Sequence, residues 1–266
     1  MSELQSKQPM FNAPRPVVVL AFLLVAIYAL QASLDDLNAM DLIRLFGFVP
    51  ERITYWLEPA RLAEALGTTG MAADGSDSGE MARYFLGDGS LQPWTLLTYA
   101  FLHGSWTHVL LNCLWFLSFG AAVARRFGAL PFVVFCAVTA VAGALFHYVF
   151  FALSGSPVIG ASAAVSGCMG GALRFAFAAG APLGEANGLR FLNEEAAYHL
   201  PAPSLASVVQ DSRAMAFLAF WFAANLLFGI GSTTFGLGDA PVAWQAHIGG
   251  LLAGFFLFSF FDGKNR

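Results

Sequence analysis

Ser162 stands in the stretch Pro157-Val158-Ile159-Gly160-Ala161-Ser162-Ala163-Ala164, where a loop enters an apolar run. A serine hydroxyl is a weak nucleophile at neutral pH until a neighbouring base accepts its proton. His247, in Ala246-His247-Ile248-Gly249-Gly250, opens another apolar run and has the side chain for that task. His108 and Asn112 open a third run; four residues apart, they share one face of a helix. A serine served by a histidine base can carry out acyl transfer, provided that residues scattered between positions 108 and 247 meet in one place.

The elements able to bring them together are membrane helices. Of the 266 residues 58% are hydrophobic and only 11% are charged, and the apolar ones come in blocks rather than alternating with polar ones. A run of about 17 residues or more can cross a hydrocarbon core of roughly 30 Å. Six such runs lie near 16–34, 106–124, 130–152, 162–179, 213–230 and 246–261. The expected fold is therefore an all-α polytopic membrane protein: a tail at 1–15, a six-helix membrane domain at 16–262 and a second tail at 263–266.

Lys and Arg accumulate on the cytoplasmic side of short loops. With the N-terminus inside, Lys7, Arg15, Arg125, Arg126, Arg174, Arg190, Arg213, Lys264 and Arg266 are cytoplasmic, nine of the 13 basic residues. Only Arg44, Arg52, Arg61 and Arg83 lie outside. The second, fourth and sixth runs then all pass from outside to inside, so His108, Asn112, Ser162 and His247 share one layer below the outer surface. Ser162, Ser166 and Gly170 form one stripe of small residues and His247, Gly250 and Gly254 a matching one, which lets two of these helices approach closely and brings Ser162 within reach of His247.

The loops are expected to differ. The long one at 35–105 is extracytoplasmic; its middle, Gly67 to Gly89, reads as a flexible excursion, and its aromatic stretches around Trp56 and Trp94 suit a membrane interface. The loop at 180–212 reads as a solvated cytoplasmic connection that holds His199. Cys113, Cys136 and Cys168 fall inside apolar runs without paired spacing and are expected to pack, not to form disulfides. His103 and His147 are expected to be structural. A metal site is the competing use for several histidines at one depth, but 106–124 and 246–261 contain no Asp or Glu to complete a ligand set, and no metal or cofactor is expected.

Pro93-Trp94-Thr95 through His103-Gly104 to His108 and Asn112, then Gly160-Ala161-Ser162-Ala163, then Ala246-His247-Ile248-Gly249-Gly250 with Gly254, resemble in order the three signatures of rhomboid intramembrane serine proteases. The resemblance runs from about residue 93 to 257. It implies that Ser162 is the nucleophile, His247 its general base, and His108 and Asn112 part of the group that binds the oxyanion. It also implies transmembrane protein substrates cut near the outer membrane face, with no nucleic acid as partner. A Ser-His dyad is expected, since no Asp or Glu is placed to act as a third member. A bacterial plasma membrane is the expected location. A catalytically silent relative that escorts membrane clients is the alternative, although such relatives tend to lack the serine or histidine that this chain has.

Three positions depart from the family pattern. Ala163 replaces the glycine that usually follows the nucleophile and adds a methyl group beside it. Thr95 follows Trp94 where the family usually has arginine, so the usual anchor of that loop is expected to be missing. Ser166 occupies the place where some members carry tyrosine, so no aromatic ring is expected to orient His247.

Overall fold

Pro16 sits in the first turn of the first helix, where a ring without an N–H loses nothing because that group has no intrahelical partner. In this computed structural model, which describes residues 13–68, 77–183, 194–231 and 242–263, that helix is α1 (Arg15–Gln31). Its buried residues Val17, Ala21, Leu24 and Tyr28 recur every three or four positions and face the bundle. Val18, Val19, Phe22 and Leu23 face outward, as a helix against lipid requires. The tail before residue 13 and residues 264–266 lie outside the described residues.

Five more apolar helices complete the bundle. Residues 106–127 form one continuous span made of α7 (Trp106–Trp115), a π-turn at Phe116–Gly120, and α8 (Ala121–Phe127). The later helices are α9 (Ala129–Phe151), α10 (Ser162–Leu173), α11 (Glu194–Ala197), α12 (Leu205–Gln210), α13 (Ser212–Gly231) and α14 (Trp244–Phe261). Among the described residues, 106–127, 129–151 and 244–261, of 22, 23 and 18 residues, are long and apolar enough to cross a membrane. At 1.5 Å per residue they measure roughly 27 to 35 Å. The protein is an all-α integral membrane protein, as the composition predicts.

The fourth run departs from expectation. Predicted to span over 162–179, it is helical only over Ser162–Leu173 and ends in turns that lead to Gly180. Twelve residues reach only about 18 Å. The reason is its place: every residue of α10 after Ser162 is buried, so it is a central post wrapped by the longer helices and has no lipid face to match.

Small residues make that burial possible. A methyl group added to Gly250 of α14 would lie 2.1 Å from the Ala163 carbonyl oxygen, and one added to Gly254 would lie 2.0 Å from that of Gly167. One on Gly170 would meet the Leu251 oxygen at 2.2 Å. The two helices therefore run side by side in backbone contact, as the stripes of small residues predict.

The expected flexible excursion at Gly67 to Gly89 is corrected in part. The first loop folds into α2 (Asp36–Phe46), α3 (Pro50–Leu57), α4 (Pro59–Thr68), α5 (Asp77–Leu86) and α6 (Thr95–Thr98), with 69–76 outside the described residues. The missing anchor is corrected as well, because an arginine from elsewhere in the loop supplies it. Arg52 is 1% exposed and donates to the Phe85 carbonyl, the Arg44 carbonyl (2.7 Å) and Gln92 Oε1 (2.6 Å). Trp94 Nε1 donates to the Leu45 carbonyl at 2.8 Å, and Thr95 Oγ1 closes its own turn on Gln92 O.

The loop at 180–212 is likewise less solvated than expected. Arg126, at the end of α8, donates to the Tyr198 and Leu200 carbonyls, both at 2.9 Å, and pairs with buried Asp262 at 2.7 Å. Because a buried guanidinium needs these partners, it ties residues 198–200 to the bundle, and His199 is half-buried instead of free in water. Residues 184–193 lie outside the described residues.

Glu51 next to the anchoring arginine gives a pH expectation. Its carboxyl is 2% exposed, Oε1 has no hydrogen-bond partner among the described residues, and burial pushes its pKa up to about 7 against an ordinary 4.5. Below pH 4.5 the group is protonated folded or unfolded. Between 4.5 and 7 only the unfolded chain gives up the proton, so stability falls as pH rises through about 7. Glu51→Gln should remove that fall and raise the melting temperature at pH 8. Superimposable melting curves for the two proteins from pH 4.5 to 8 would refute it.

Candidate active site

Ser105 fixes the start of α7, accepting a hydrogen bond from the His108 N–H at 3.1 Å, and thereby sets where His108 and Asn112 project. Ser162 is the first residue of α10 and is partly exposed, so its N–H belongs to the turn that has no intrahelical acceptor. His247 lies in the first turn of α14, also partly exposed.

The loop before Ser162 is held from several sides. Phe48 and Val158 exchange both backbone hydrogen bonds, at 3.1 and 2.7 Å, and Glu51 N–H donates to the Ser154 carbonyl. Gly160 N–H donates to the Tyr99 carbonyl at 3.0 Å, and the Tyr99 hydroxyl reaches Ala140 O on α9. Gly160 has φ +119°, where a side chain is strained, and a methyl group there would lie 2.8 Å from the His108 ring. Glycine thus lets the loop pass directly against that imidazole.

His103, expected to be structural, is fully buried and braces this approach. Gln31 of α1 clasps its backbone from both sides, its ring packs 4.9 Å from that of His108, and its Nε2 faces the Ala161 N–H at 3.5 Å. His147, the other expected structural histidine, is buried and stacks on Phe151 at 4.9 Å.

The structure brings His108 and Asn112 together beside Gly160. Asn112 is 6% exposed and its Nδ2 has no acceptor among the described residues, so a buried amide donor is left facing this space. Such a group costs free energy unless something occupies the place next to it, which makes it a candidate for holding a transient negative oxygen.

Ser162 and His247 sit on helices in backbone contact through Ala163 and Gly250, yet among the described residues no hydrogen bond joins their side chains. The expected approach of the helices is present, and the two side chains do not hydrogen-bond to each other. Catalytic hydrogen bonds are often long before substrate arrives.

The His247 ring is held from a third helix instead. Its Nδ1 meets Asn225 Oδ1 of α13 at 2.5 Å, and Asn225 Nδ2 donates to the Trp221 carbonyl at 2.9 Å. The dyad is expected because no Asp or Glu is placed as a third member, and the residue that meets the ring is an amide rather than an acid. The sequence signal was a lone amide within the apolar run Ser212–Gly231.

The added methyl group of Ala163 has a matching absence. A side chain on Gly143 of α9 would lie 2.5 Å from the Ala163 Cβ, so the space that the methyl needs is left by Gly143. Ser166, one turn after Ser162, is buried and puts no ring beneath His247.

A family model described as the Rhomboid domain matches residues 90–263, which is more than half of the chain. No curated protein matches it in sequence.

Proposed function

The chain belongs to the rhomboid family, and from that premise we propose that it is an intramembrane serine endopeptidase that cuts transmembrane segments of other membrane proteins. The observation that carries this reading is the buried Asn112 amide beside Gly160, whose Nδ2 has no acceptor among the described residues, two residues from a partly exposed serine at a helix start. A donor beside the nucleophile is what a developing oxyanion requires.

In this reading Ser162 Oγ attacks the scissile carbonyl carbon while its proton passes to His247 Nε2. The carbonyl π electrons move to oxygen, which the Ser162 N–H, the Asn112 amide and the His108 ring hold; in comparable sites one such donor contributes about 3 to 4 kcal/mol. His247 then protonates the amine nitrogen as the C–N bond breaks, and water repeats the sequence on the acyl-enzyme. The substrate has to unwind near the cut, because an intact helix hides its carbonyls in backbone hydrogen bonds. The excess of Lys and Arg supports a cytoplasmic N-terminus and a cut near the outer face, and a bacterial plasma membrane is the proposed location.

The test is cleavage of a reporter transmembrane substrate by the purified protein in vesicles. Wild type should cut and His247→Ala should not; no cleavage and no labelling of Ser162 by a fluorophosphonate would reject the reading. Asn112→Leu should split stability from activity. It removes a buried donor that has no acceptor, so the melting temperature should hold or rise, while kcat falls roughly 10²-fold. Equal rates with and without the amide would exclude the oxyanion role.

A further inference from the structure

We propose that Asn225 is a positioning residue that holds His247 in the tautomer with the proton on Nδ1, so that Nε2 is presented unprotonated towards Ser162. This rests on the serine-protease reading for its consequence but not for its geometry.

The argument is one of donors and acceptors. The Trp221 carbonyl can only accept, so the atom of the Asn225 amide that meets it must be the NH₂ group. That fixes the orientation of the amide and leaves Oδ1 facing His247 Nδ1. Oδ1 can only accept as well, so Nδ1 must carry the hydrogen, and the neutral ring then has its lone pair on Nε2. The proton on Nδ1 is thereby assigned from a main-chain carbonyl through one amide.

The arrangement compensates for what the site lacks. Ser166 sits where a ring could have stacked under the imidazole, and α10, α13 and α14 contain no Asp or Glu. A neutral amide performs the orienting task in the apolar run of α13 without the cost of a buried charge. When His247 takes the proton of Ser162, both ring nitrogens become donors, and the Nδ1–H bond to Oδ1 strengthens as the charge develops.

The test uses the full chain in vesicles and the variants Asn225→Leu, Asn225→Ala and Asn225→Asp. The Leu and Ala variants should lower kcat about 10- to 100-fold, less than the roughly 10⁴-fold seen when a triad carboxylate is replaced, because the amide carries no charge. KM should stay within about twofold. Asn225→Asp keeps an acceptor oxygen at the same place and should recover most of the loss, which a general packing defect would not allow.

Histidine ¹⁵N spectra, with His247 assigned by comparison with His247→Ala, should show the Nδ1–H form in wild type and a tautomer mixture in the Leu and Ala variants. A wild-type kcat in Asn225→Leu, a kcat in Asn225→Asp as low as in Asn225→Leu, or an Nε2–H tautomer in wild type would overturn the inference. If Asn225→Leu fails to fold, the Asp variant and the wild-type spectrum decide it. A wild type that neither cleaves nor labels defeats the protease reading alone, since the tautomer is still read from the spectra.

Discussion

Ser162→Ala is expected to lower kcat for a transmembrane substrate by at least about 10⁴-fold while leaving the melting temperature within about 1 °C of wild type. The loss is large because in this reading the acyl bond forms on the Ser162 oxygen itself. It exceeds the loss from removing Asn112, where the Ser162 N–H and His108 still serve the oxyanion. Stability should hold because Ser162 is partly exposed and its side chain makes no hydrogen bond among the described residues. Alanine at 162 also keeps a good helix former at the first position of α10. Single-turnover cleavage and thermal melts in the same detergent measure both. Cleavage within tenfold of wild type would mean that the nucleophile is elsewhere.

Gly254→Ala should damage both properties from a site two turns away from His247. The added methyl group would lie 2.0 Å from the Gly167 carbonyl oxygen and 2.7 Å from its carbon. These are main-chain atoms and cannot rotate aside, so α10 and α14 must part by more than about 1 Å to reach van der Waals contact. Forcing that separation costs about 2 to 4 kcal/mol, and a displacement of that size between Ser162 and His247 should lower kcat about 10²-fold. Gly263→Ala is the matched control, because nothing lies within 4 Å of a methyl group there. A Gly254→Ala protein that melts and cleaves like this control would show that the backbone contact does not position the site.

The parts of this fold that the sequence discloses are those set by solvent. Apolar blocks announce membrane helices, and small residues spaced by three or four announce that α10 and α14 touch, because nothing else explains Gly250 and Gly254 in such a run. The length of α10 was misread for a related reason: hydropathy cannot distinguish a helix against lipid from one enclosed by protein, and Phe175 to Ala179 are as apolar as the helix they follow. The folding of the first loop was missed because its buried groups are charged. Arg52 and Glu51 look like surface residues until the carbonyls of Arg44 and Phe85 are seen around the guanidinium. In the candidate site, residues whose chemistry is explicit were legible, and Asn225 was not. Its contribution depends on the direction of one amide, which is a property of its neighbours in space.

The bridge between Phe48 and Val158 and the clasp of Gln31 on His103 separate the chain into workers and scaffolding. The matched family region starts at residue 90 and contains every candidate catalytic group, whereas Gln31, Phe48, Glu51 and Thr54, which fasten the approach to Ser162, all come before it. A chain begun at residue 90 would inherit the reagents of the site without its jig. Gln31, Phe48, Glu51 and Thr54 are thus as much a part of the candidate active centre as the serine, although none of them is a candidate reagent.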